Sequence, residues 1–451
     1  MKKNFLRITV VIGLLFLIFS GWLYYREYQS FQIPVHKHAD KGIRINVDGI
    51  YKTLIWDFIS EPWNYSKSGK KKEDKQKPIE PGVEIPANVV LYTLNNQAEN
   101  TFFGYLKISD HSAFRNFLEK KLNVDEFQEI SNGVFYTSTK NKLLKIAFTE
   151  QELAFVCSPF KIKAEVSGVL MDILNRKDIL PSSDTLIQRL KQTEGHISFV
   201  GESAEGSLDF SDGKISFLGK VKVDSIDIPE QVFHKEFTKE STVKGWLNAD
   251  ISYWLKSVLV PLNSNYQLNS DSLANYSGGY MDFELIKTVK QIDTAITYIF
   301  DDNFEKIAMK TAQEKQVPEI YLTFKNQNQR LVNYLKRQQV LDERLKLNKS
   351  VFPLYQFYGS ANGDYLQLTT NLNHSKKTGQ IFSDDFFHLA IDFQQIWKQG
   401  LFPALNKHIL SMDSLSISAK RETTNMASVK GALYFNDKDI NGLNQVIKLL
   451  R

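Results

Sequence analysis

The sequence predicts an α+β protein, with an N-terminal transmembrane helix followed by tandem, duplicated modules of antiparallel β-sheet with packed helices. Three observations lead to this fold class. An uncharged apolar run lies near the N-terminus, short segments of period-two hydrophobicity lie between turn signals, and a strand-then-helix pattern recurs along the chain. Helices occur between the strands without alternating one for one with them, which favours an antiparallel α+β arrangement over a parallel sheet.

The predicted anchor occupies residues 8–25, which are uncharged and rich in Ile, Val, Leu and Phe. At about 1.5 Å per residue, a helix of this length narrowly spans a hydrocarbon core of roughly 30 Å. Lys2, Lys3 and Arg7 precede it, and such cations mark the cytoplasmic side of a membrane helix. A cleaved signal peptide is the alternative, but small residues do not occupy both positions that cleavage requires. We therefore expect an uncleaved helix.

The predicted domain organisation follows from this anchor. The segments are a cytoplasmic cap at 1–7, the transmembrane anchor at 8–25, a tether at 26–40, a first extracytoplasmic α+β domain at 41–230 with a lysine-rich loop at 60–86, and a second extracytoplasmic α+β domain at 240–451. This organisation places the chain in the bacterial inner (cytoplasmic) membrane as a single-pass protein with a cytoplasmic N-terminus. The bulk of the chain is then extracytoplasmic.

A short apolar strand that ends at an Asp and continues as a Trp-containing helix occurs three times, at 43–59, 246–260 and 388–401. The second and third copies also share the segments that follow, which supports duplication. The aspartates at the three junctions are Asp48, Asp250 and Asp392. These are either equivalent catalytic or metal-binding acids or helix N-caps, and an Asp at such a junction favours the N-cap.

A second recurrence joins a period-two strand to a helix, at 104–122 and at 319–341. Asp212-Gly213 predicts a tight turn between two strands, and 441–450 predicts a closing helix. Further strands are predicted at 133–138, 143–148, 153–157, 197–200, 207–210, 214–223, 279–286, 355–358, 365–370, 414–419 and 428–435.

The stretch 60–86 is polar, interrupted by prolines and rich in lysine, so the sequence predicts a flexible loop. Its lysines are either contacts to an anionic surface, such as lipid headgroups or an acidic envelope polymer, or ordinary solvated side chains, which the composition favours. The lysines of this possible anionic contact are Lys67, Lys70, Lys71, Lys72, Lys75 and Lys77.

Composition excludes several protein classes. The chain has 451 residues, of which 42% are hydrophobic, enough to build ordinary cores. Its single cysteine, Cys157, lies in an apolar run, so it predicts a small buried side chain and cannot form an internal disulfide. The net charge of +5 is modest for this length, so no nucleic-acid partner is expected.

One set of short motifs follows the order found in penicillin-binding serine acyltransferases: Ser158-x-x-Lys161, Ser360-x-Asn362 and Lys377-Thr378-Gly379. That chemistry needs the serine at a helix start and the last motif on a strand, at spacings that this chain does not have. Ser158 followed by Pro159 instead predicts the N-cap and first position of a helix. The acyltransferase interpretation is therefore disfavoured.

The remaining candidates are isolated. His36 and His38 have no acid or cysteine at ligand spacing, and an exposed tether explains them better than a metal site. Two pairs of neighbouring acids, Asp301 with Asp302 and Asp384 with Asp385, predict turns or caps because adjacent side chains point apart. The sequence therefore predicts no catalytic residue, no metal ligand and no cofactor.

In its overall layout the chain resembles poorly characterised bacterial envelope proteins that have one N-terminal membrane anchor and repeated α+β modules. The resemblance implies a membrane-anchored extracytoplasmic protein. We expect a non-enzymatic interaction or scaffold module whose partners are the membrane and an envelope protein, polymer or lipid. One alternative is a protein that binds or transfers a lipid or another apolar ligand in a groove lined by aromatic strands. Another is a hydrolase whose site is too dispersed to recognise.

Overall fold

The computed structural model describes residues 20–60, 79–224, 226–250, 268–300, 304–373, 379–400 and 409–450. The chain forms two compact units. The first comprises 1–211 with 439–441, and the second comprises 212–438 with 442–451. Each unit is built on antiparallel β-sheet, and each is described below by itself.

The described strands of the first unit are β1 Ala39–Asn46, β2 Asn88–Leu94, β3 Phe102–Lys107, β4 Gln128–Ser131, β5 Val134–Ser138, β6 Leu144–Phe148, β7 Glu152–Cys157, β8 Ile197–Val200 and β9 Ala204–Ser211. They lie in the order β9-β8-β1-β2-β3-β7-β6-β5-β4, and every pairing is antiparallel. Its described helices are α1 (20–30), α2 Val47–Ser60, α3 His111–Phe117 with a following π-helical turn Leu118–Leu122, α4 Ser167–Leu174 and α5 Thr185–Gln192.

The core of the first unit lies against one face of this sheet, where alternate strand residues are buried. Phe103 of β3 and Val156 of β7 are fully buried, and they belong to the same apolar cluster as Leu170 and Ile173 of α4. A second cluster surrounds Phe148 at the end of β6. This packing explains why the short helices are stable, since helices of this length are marginal in water without tertiary contacts.

The described strands of the second unit are β10 Lys214–Lys222, β11 Val232–Lys235, β12 Val243–Asn248, β13 Ser277–Phe300, β14 Lys306–Asn326, β15 Tyr358–Asn362, β16 Tyr365–Thr369, β17 Gln380–Ser383, β18 Asp385–Asp392, β19 Met412–Arg421 and β20 Met426–Phe435. The main sheet has the order β10-β20-β19-β18-β12-β13-β14-β16-β15, again entirely antiparallel. β11 and β17 form a separate two-stranded ribbon. The described helices are α6 Ser270–Tyr276, α7 Arg330–Arg337, α8 Phe393–Gln399 and α9 Gly442–Leu450.

One apolar cluster of the second unit joins α7 to the sheet. Leu331 and Val332 of α7 and Leu366 and Leu368 of β16 are buried together. Because residues two apart on a strand face the same side, the two leucines of β16 form a continuous apolar surface for the helix. The opposite face of this part of the sheet carries polar side chains.

The predicted fold class is wrong. Strands dominate both units, and the described helices between them are mostly of seven to nine residues. The long period-two segments therefore determine the architecture, because a strand that alternates apolar and polar residues supplies a core face without needing a separate helical layer.

The predicted transmembrane helix is also contradicted. Within residues 20–60, 79–250 and the later described ranges, no helix is long and apolar enough to cross a lipid bilayer. This finding overturns the predicted anchor at 8–25 and the single-pass inner-membrane placement that depended on it. Residues 8–19 lie outside the described part of the chain. Residues 20–25 form the beginning of α1. The next residue of α1, Arg26, is charged and forms an ion pair with Asp48 of α2.

The local element predictions agree better with the structure. β8 coincides with the predicted strand at 197–200, and β16 and β20 lie within two residues of their predicted limits. Gly213 lies in the turn between β9 and β10 with a φ of +60°, as expected for the Asp-Gly dipeptide. The predicted strand at 355–358 is displaced, since β15 begins only at Tyr358.

Candidate functional site

The three junction aspartates have different environments. Asp392 is an N-cap, since its side chain accepts a hydrogen bond from the backbone N–H of Gln395 at 2.9 Å. At the start of α2 the cap is Asn46, whose Oδ1 accepts from Gly49 N at 2.8 Å. Asp48 lies two residues further, in the first turn of α2, and binds Arg26 Nε at 2.9 Å, so the predicted capping role of Asp48 is wrong. The residues that follow Asp250 lie outside the described ranges.

Asp250 and Asp392 do not share a site. Asp250 follows the end of β12, and Asp392 is the last residue of β18. These two strands are adjacent and antiparallel, with Val243 paired to Ile391. Antiparallel pairing places the carboxyl ends of neighbouring strands at opposite ends of the pair. The backbone N–H of Asp392 therefore donates to Thr242 O at 2.7 Å, at the beginning of β12, whereas Asp250 lies beyond its end.

The acyltransferase motifs are not supported by local structure. Ser158 does not begin a helix, contrary to the prediction, and its hydroxyl accepts from Phe160 N at 3.1 Å in a turn. Ser360 and Asn362 lie on β15. Lys377 and Thr378 lie outside the described residues.

The predicted lysine contact surface cannot be placed. All of its members lie at 61–78, outside the residues that the structure describes: Lys67, Lys70, Lys71, Lys72, Lys75 and Lys77. The adjacent acids Asp301 and Asp302 lie outside them as well.

His36 is not part of an exposed tether. Its side chain is 5% exposed, its backbone forms a bridge with Ile179, and its ring centroid lies 5.3 Å from that of His38. Burial, followed by the neighbouring His38, lowers the pKa of His36. Among the described residues, no group of three or more His, Cys, Asp or Glu side chains could hold a metal ion.

A buried polar layer lies on one face of β13 and β14, a feature that the sequence analysis missed. Tyr280, Asp282 and Glu284 occupy alternate positions of β13 and share a face. The Tyr280 hydroxyl donates to Asp282 Oδ2 at 2.8 Å and accepts from Lys235 N of β11 at 2.9 Å. Glu284 Oε1 accepts from Thr238 N at 2.6 Å. Burial and the Asp282 carboxylate raise the pKa of Tyr280.

A stack of aromatic rings continues this layer. Trp246 of β12 lies between His234 of β11 and His388 of β18, with ring centroids 4.2 and 4.4 Å away. The Trp246 indole N–H donates to Asp385 O at 3.0 Å. These contacts hold the β11–β17 ribbon on the main sheet. In them His234 and His388 pack against the Trp246 ring, and the backbone carbonyl of Asp385 accepts the indole hydrogen bond.

The most distinctive feature of the second unit is the length of the β13–β14 hairpin. β12 pairs with β13 only as far as Leu285, and β16 pairs with β14 only over Tyr321–Lys325. Beyond this point β13 and β14 continue to pair with each other, from Thr288 opposite Pro318 to Phe300 opposite Lys306. We call the hairpin segments 288–300 and 306–318, with the loop that joins them, the arm.

A β-bulge marks the base of the arm. The register of β13 against β14 shifts between Leu285 and Thr288, opposite Pro318. A proline cannot donate a backbone hydrogen bond, and bulges end regular pairing and redirect a strand. Pro318 and the bulge lie just beyond the last residues of β13 and β14 that pair with β12 and β16.

Several described contacts join the base of the arm to the rest of the unit. Gln291 Nε2 donates to Thr370 O at 2.7 Å, and Lys315 Nζ donates to Leu354 O at 3.2 Å. Asp293 forms an ion pair with Lys349. With a rise of about 3.4 Å per residue, the stretch from Thr294 to Phe300 extends roughly 24 Å past these contacts.

The part of β14 in the arm whose side chains the structure describes is accessible to solvent on both faces. All six residues from Thr311 to Gln316 are exposed, although successive strand residues point to opposite faces. Three large apolar side chains of the arm are also exposed: Ile292 at 77%, Phe304 at 85% and Met309 at 47%. Among the described strands, none pairs with the outer edge of either arm strand.

A cavity of about 310 Å³ lies beside α1 in the first unit. Its apolar and aromatic lining comes from Trp22, Tyr25, Ile33, Tyr105 and Leu106, and its charged lining from Arg26, Glu84 and Lys107. Burial raises the pKa of Tyr105, whose hydroxyl accepts from Arg176 at 3.2 Å. The cavity combines an apolar wall with charges of both signs.

No protein-family model and no curated protein matches the chain. Among solved structures, the chain is similar to crystal form I of TP0453 at 11% identity, with 77% of this chain and 92% of TP0453 covered and a TM-score of 0.23. For crystal form III of TP0453 the identity is 12%, the coverage is 76% and 91%, and the TM-score is again 0.23. A TM-score this low carries no argument about fold or function, so the functional interpretation rests on the geometry of the chain itself.

Proposed function

We propose that this protein is a non-enzymatic interaction module and that the arm is the element with which it binds a protein partner. The observation that carries the proposal is the hairpin that extends beyond its sheet, with Thr311–Gln316 exposed on both faces and with Ile292 and Phe304 exposed. An exposed aromatic side chain on a projecting element is suited to fill a pocket on a partner.

A two-stranded ribbon without a partner on its edges or faces is energetically unfavourable. A two-stranded hairpin is at best marginally stable in water, and each open edge presents unpaired backbone N–H and C=O groups. Addition of a strand from a partner, or coverage of one face, would satisfy those groups and bury the apolar side chains. Two of the candidate acids have structural roles, because Asp392 caps a helix and Asp48 pairs with Arg26.

The test is site-specific photocrosslinking in cells that make the protein. A photoreactive phenylalanine at Phe304 of the arm should give one discrete protein adduct, identified by mass spectrometry. The matched control places the same residue at Phe160, which is 65% exposed in the first unit and should give none. Equal adducts at both positions, or none at Phe304, would overturn the proposal.

A shortened arm provides a second test. Asp293 pairs with Gln313, so joining them through Asn-Gly should close the hairpin in a tight turn and remove residues 294–312. An adduct formed through a photoreactive residue at Ile292 in the native chain should be lost in the shortened chain. Retention of the same adduct would show that residues 294–312 are not needed for the contact.

A second candidate function is binding of an apolar ligand with a charged end, favoured by the cavity beside α1. Isothermal titration with dodecanoate should release heat with the native chain and lose it in Tyr25→Ala, which removes one wall. Tyr24→Ala is the control on the same helix, since Tyr24 is 74% exposed and does not line the cavity. Identical titrations of the two variants would reject this candidate.

A further inference from the structure

We infer that the solvent face of α7 carries a binding site for a ligand with phosphate groups. The site is a pocket of about 640 Å³, with a lining of mostly basic and polar side chains from α7 and one aromatic side chain from α6: Arg330, Asn333, Lys336, Arg337 and Tyr276. It shares no residue with the arm, so the inference goes beyond the proposed function and does not depend on it.

The sequence of α7 places its polar side chains on one face. Arg330, Asn333 and Arg337 are three and four positions apart, the spacing of neighbours on a helix surface. Leu331 and Val332 belong to the buried cluster that joins α7 to β16, so packing determines which face is left to solvent. That face carries the cations of the helix, and α7 contains no acidic residue that could offset them.

Two local features hold α7 in this orientation. Asn326 Oδ1 accepts a hydrogen bond from Leu331 N at 2.9 Å, which satisfies one of the backbone N–H groups at the start of the helix. The chain enters α7 through Asn328 and Gln329, whose φ values of 47° and 65° are uncommon for residues other than glycine. The first arginine of the pocket therefore follows directly on a sharply turned and hydrogen-bonded segment.

Tyr276 reaches the pocket because α6 packs beside α7. Its ring centroid lies 5.5 Å from that of Tyr334, a buried residue of α7 that belongs to a second apolar cluster. This contact places an aromatic side chain with a hydroxyl group next to the basic face of α7.

The two arginines of the pocket have no counter-ion in the described part of the chain. Neither guanidinium group forms a hydrogen bond or an ion pair with a described residue. Lys336 differs from them, since its Nζ lies 3.0 Å from Glu343 Oε2. Arg330 and Arg337 therefore leave an uncompensated positive charge at the pocket, and such a charge attracts anions.

The donors of the pocket suit phosphate better than carboxylate. Each guanidinium presents a fork of N–H donors that binds two oxygens of an anion, and the Asn333 amide and the Tyr276 hydroxyl add further donors. A carboxylate offers two acceptor oxygens, whereas a phosphate group offers three. Arg330 and Arg337 lie about 10 Å apart along the helix axis, so a ligand with two phosphate groups can bind both of them.

Isothermal titration of the full chain with sodium pyrophosphate tests the site. The native chain should bind it, and the double variant Arg330→Gln with Arg337→Gln should bind about tenfold more weakly or worse, because two charged donors are removed. Arg344→Gln is the matched control and should bind as the native chain does, since Arg344 is exposed and does not line the pocket. All three replaced side chains are exposed, so the urea midpoints should stay unchanged.

Sodium succinate at the same ionic strength tests the preference for phosphate, and it should bind about tenfold more weakly than pyrophosphate. The inference would be overturned by no heat with pyrophosphate, by equal binding of succinate, or by equal losses in Arg344→Gln and the double variant.

Vesicles of equal parts phosphatidylcholine and phosphatidic acid distinguish the source of the phosphate group. If the ligand is a lipid headgroup, the native chain should sediment with the vesicles and the double variant should stay in the supernatant. If the ligand is a soluble phosphate compound, pyrophosphate should bind while the two chains behave alike with vesicles. The crosslink at Phe304 should persist in the double variant, so failure of this site and failure of the proposed function are distinguishable.

Discussion

Single residues in this protein act mainly through local hydrogen bonds and burial. Asp392 is the clearest case, since it ends β18 and caps α8 by accepting from Gln395 N. A helix leaves its first N–H groups without intrahelical partners, and an N-cap side chain satisfies one of them.

We expect Asp392→Ala to lower the free energy of unfolding by about 1 kcal/mol, the usual cost of losing an N-cap. Urea denaturation of the purified chain measures the change. The control is Asp384→Ala, which removes an exposed ion pair with Lys420 and should have a smaller effect. Equal losses in the two variants would contradict the capping role.

A second residue-level prediction concerns acid stability and His388. Burial lowers the pKa of His388 from its ordinary value of 6.5, with Lys244 and His234 acting in the same direction and Asp385 opposing them. Above 6.5 the side chain is neutral in both states. As the pH falls through 6.5 the unfolded chain takes up the proton first, so stability is lost on acidification.

The urea midpoint should therefore be lower at about pH 5.5 than at about pH 7.5, and the difference should shrink in His388→Phe, which keeps a ring against Trp246 without a proton site. An unchanged pH dependence in that variant would assign the acid sensitivity to other groups.

At the scale of elements, aromatic packing stabilises the outer strands of the first unit. Phe148 at the end of β6 is fully buried, and its ring contacts those of Phe114, Phe127 and Phe135 at centroid distances of 5.4 to 5.8 Å. One of these rings comes from α3 and another from β5, so a single side chain links a helix to two strands.

Phe148→Ala should cost about 3–5 kcal/mol, since it removes a buried ring and leaves a cavity among packed neighbours. Phe160→Ala is the matched control, because Phe160 is 65% exposed and its loss should change stability by under about 0.5 kcal/mol. Thermal denaturation of both variants checks the difference. A tolerated Phe148→Ala would mean that the cluster does not stabilise β6.

The arm is an element of the opposite kind, since all six described side chains from Thr311 to Gln316 are exposed. The sequence analysis predicted strands at 279–286 and 319–324 and thus located both strands of the hairpin at its base. It missed the continuation through 287–318, because the apolar residues there do not alternate strictly: Val289 and Ile292 lie three positions apart, as do Ile296 and Ile299.

Over the whole molecule, the backbone amides of a strand that is paired on both edges should be better protected from exchange than those of a strand with one open edge. In hydrogen exchange of the isolated chain at low concentration, β2 and β12 should be the slow strands, since each is paired on both edges. Segments 294–300 and 306–312 should exchange fastest among the strands. Equal protection of arm and sheet in the monomer would contradict the projecting geometry.

The sequence by itself determined those features that depend on residues two to four positions apart. Period-two alternation located β8, β16 and β20, the Asp-Gly dipeptide located the turn at Gly213, and Asp392 was identified as a cap. The predicted anchor at 8–25 is contradicted, since no helix of the described residues is long and apolar enough to cross a bilayer, while residues 8–19 lie outside that part of the chain.

Only the tertiary structure decided which residues meet across the chain. The polar layer of Tyr280, Asp282 and Glu284 depends on the β11–β17 ribbon covering that face, and no local pattern encodes the covering segment. The arm exists because β12 and β16 stop short of the ends of β13 and β14. Strand pairing is a long-range interaction, so the length of a strand is visible in the sequence while the presence of its neighbours is not.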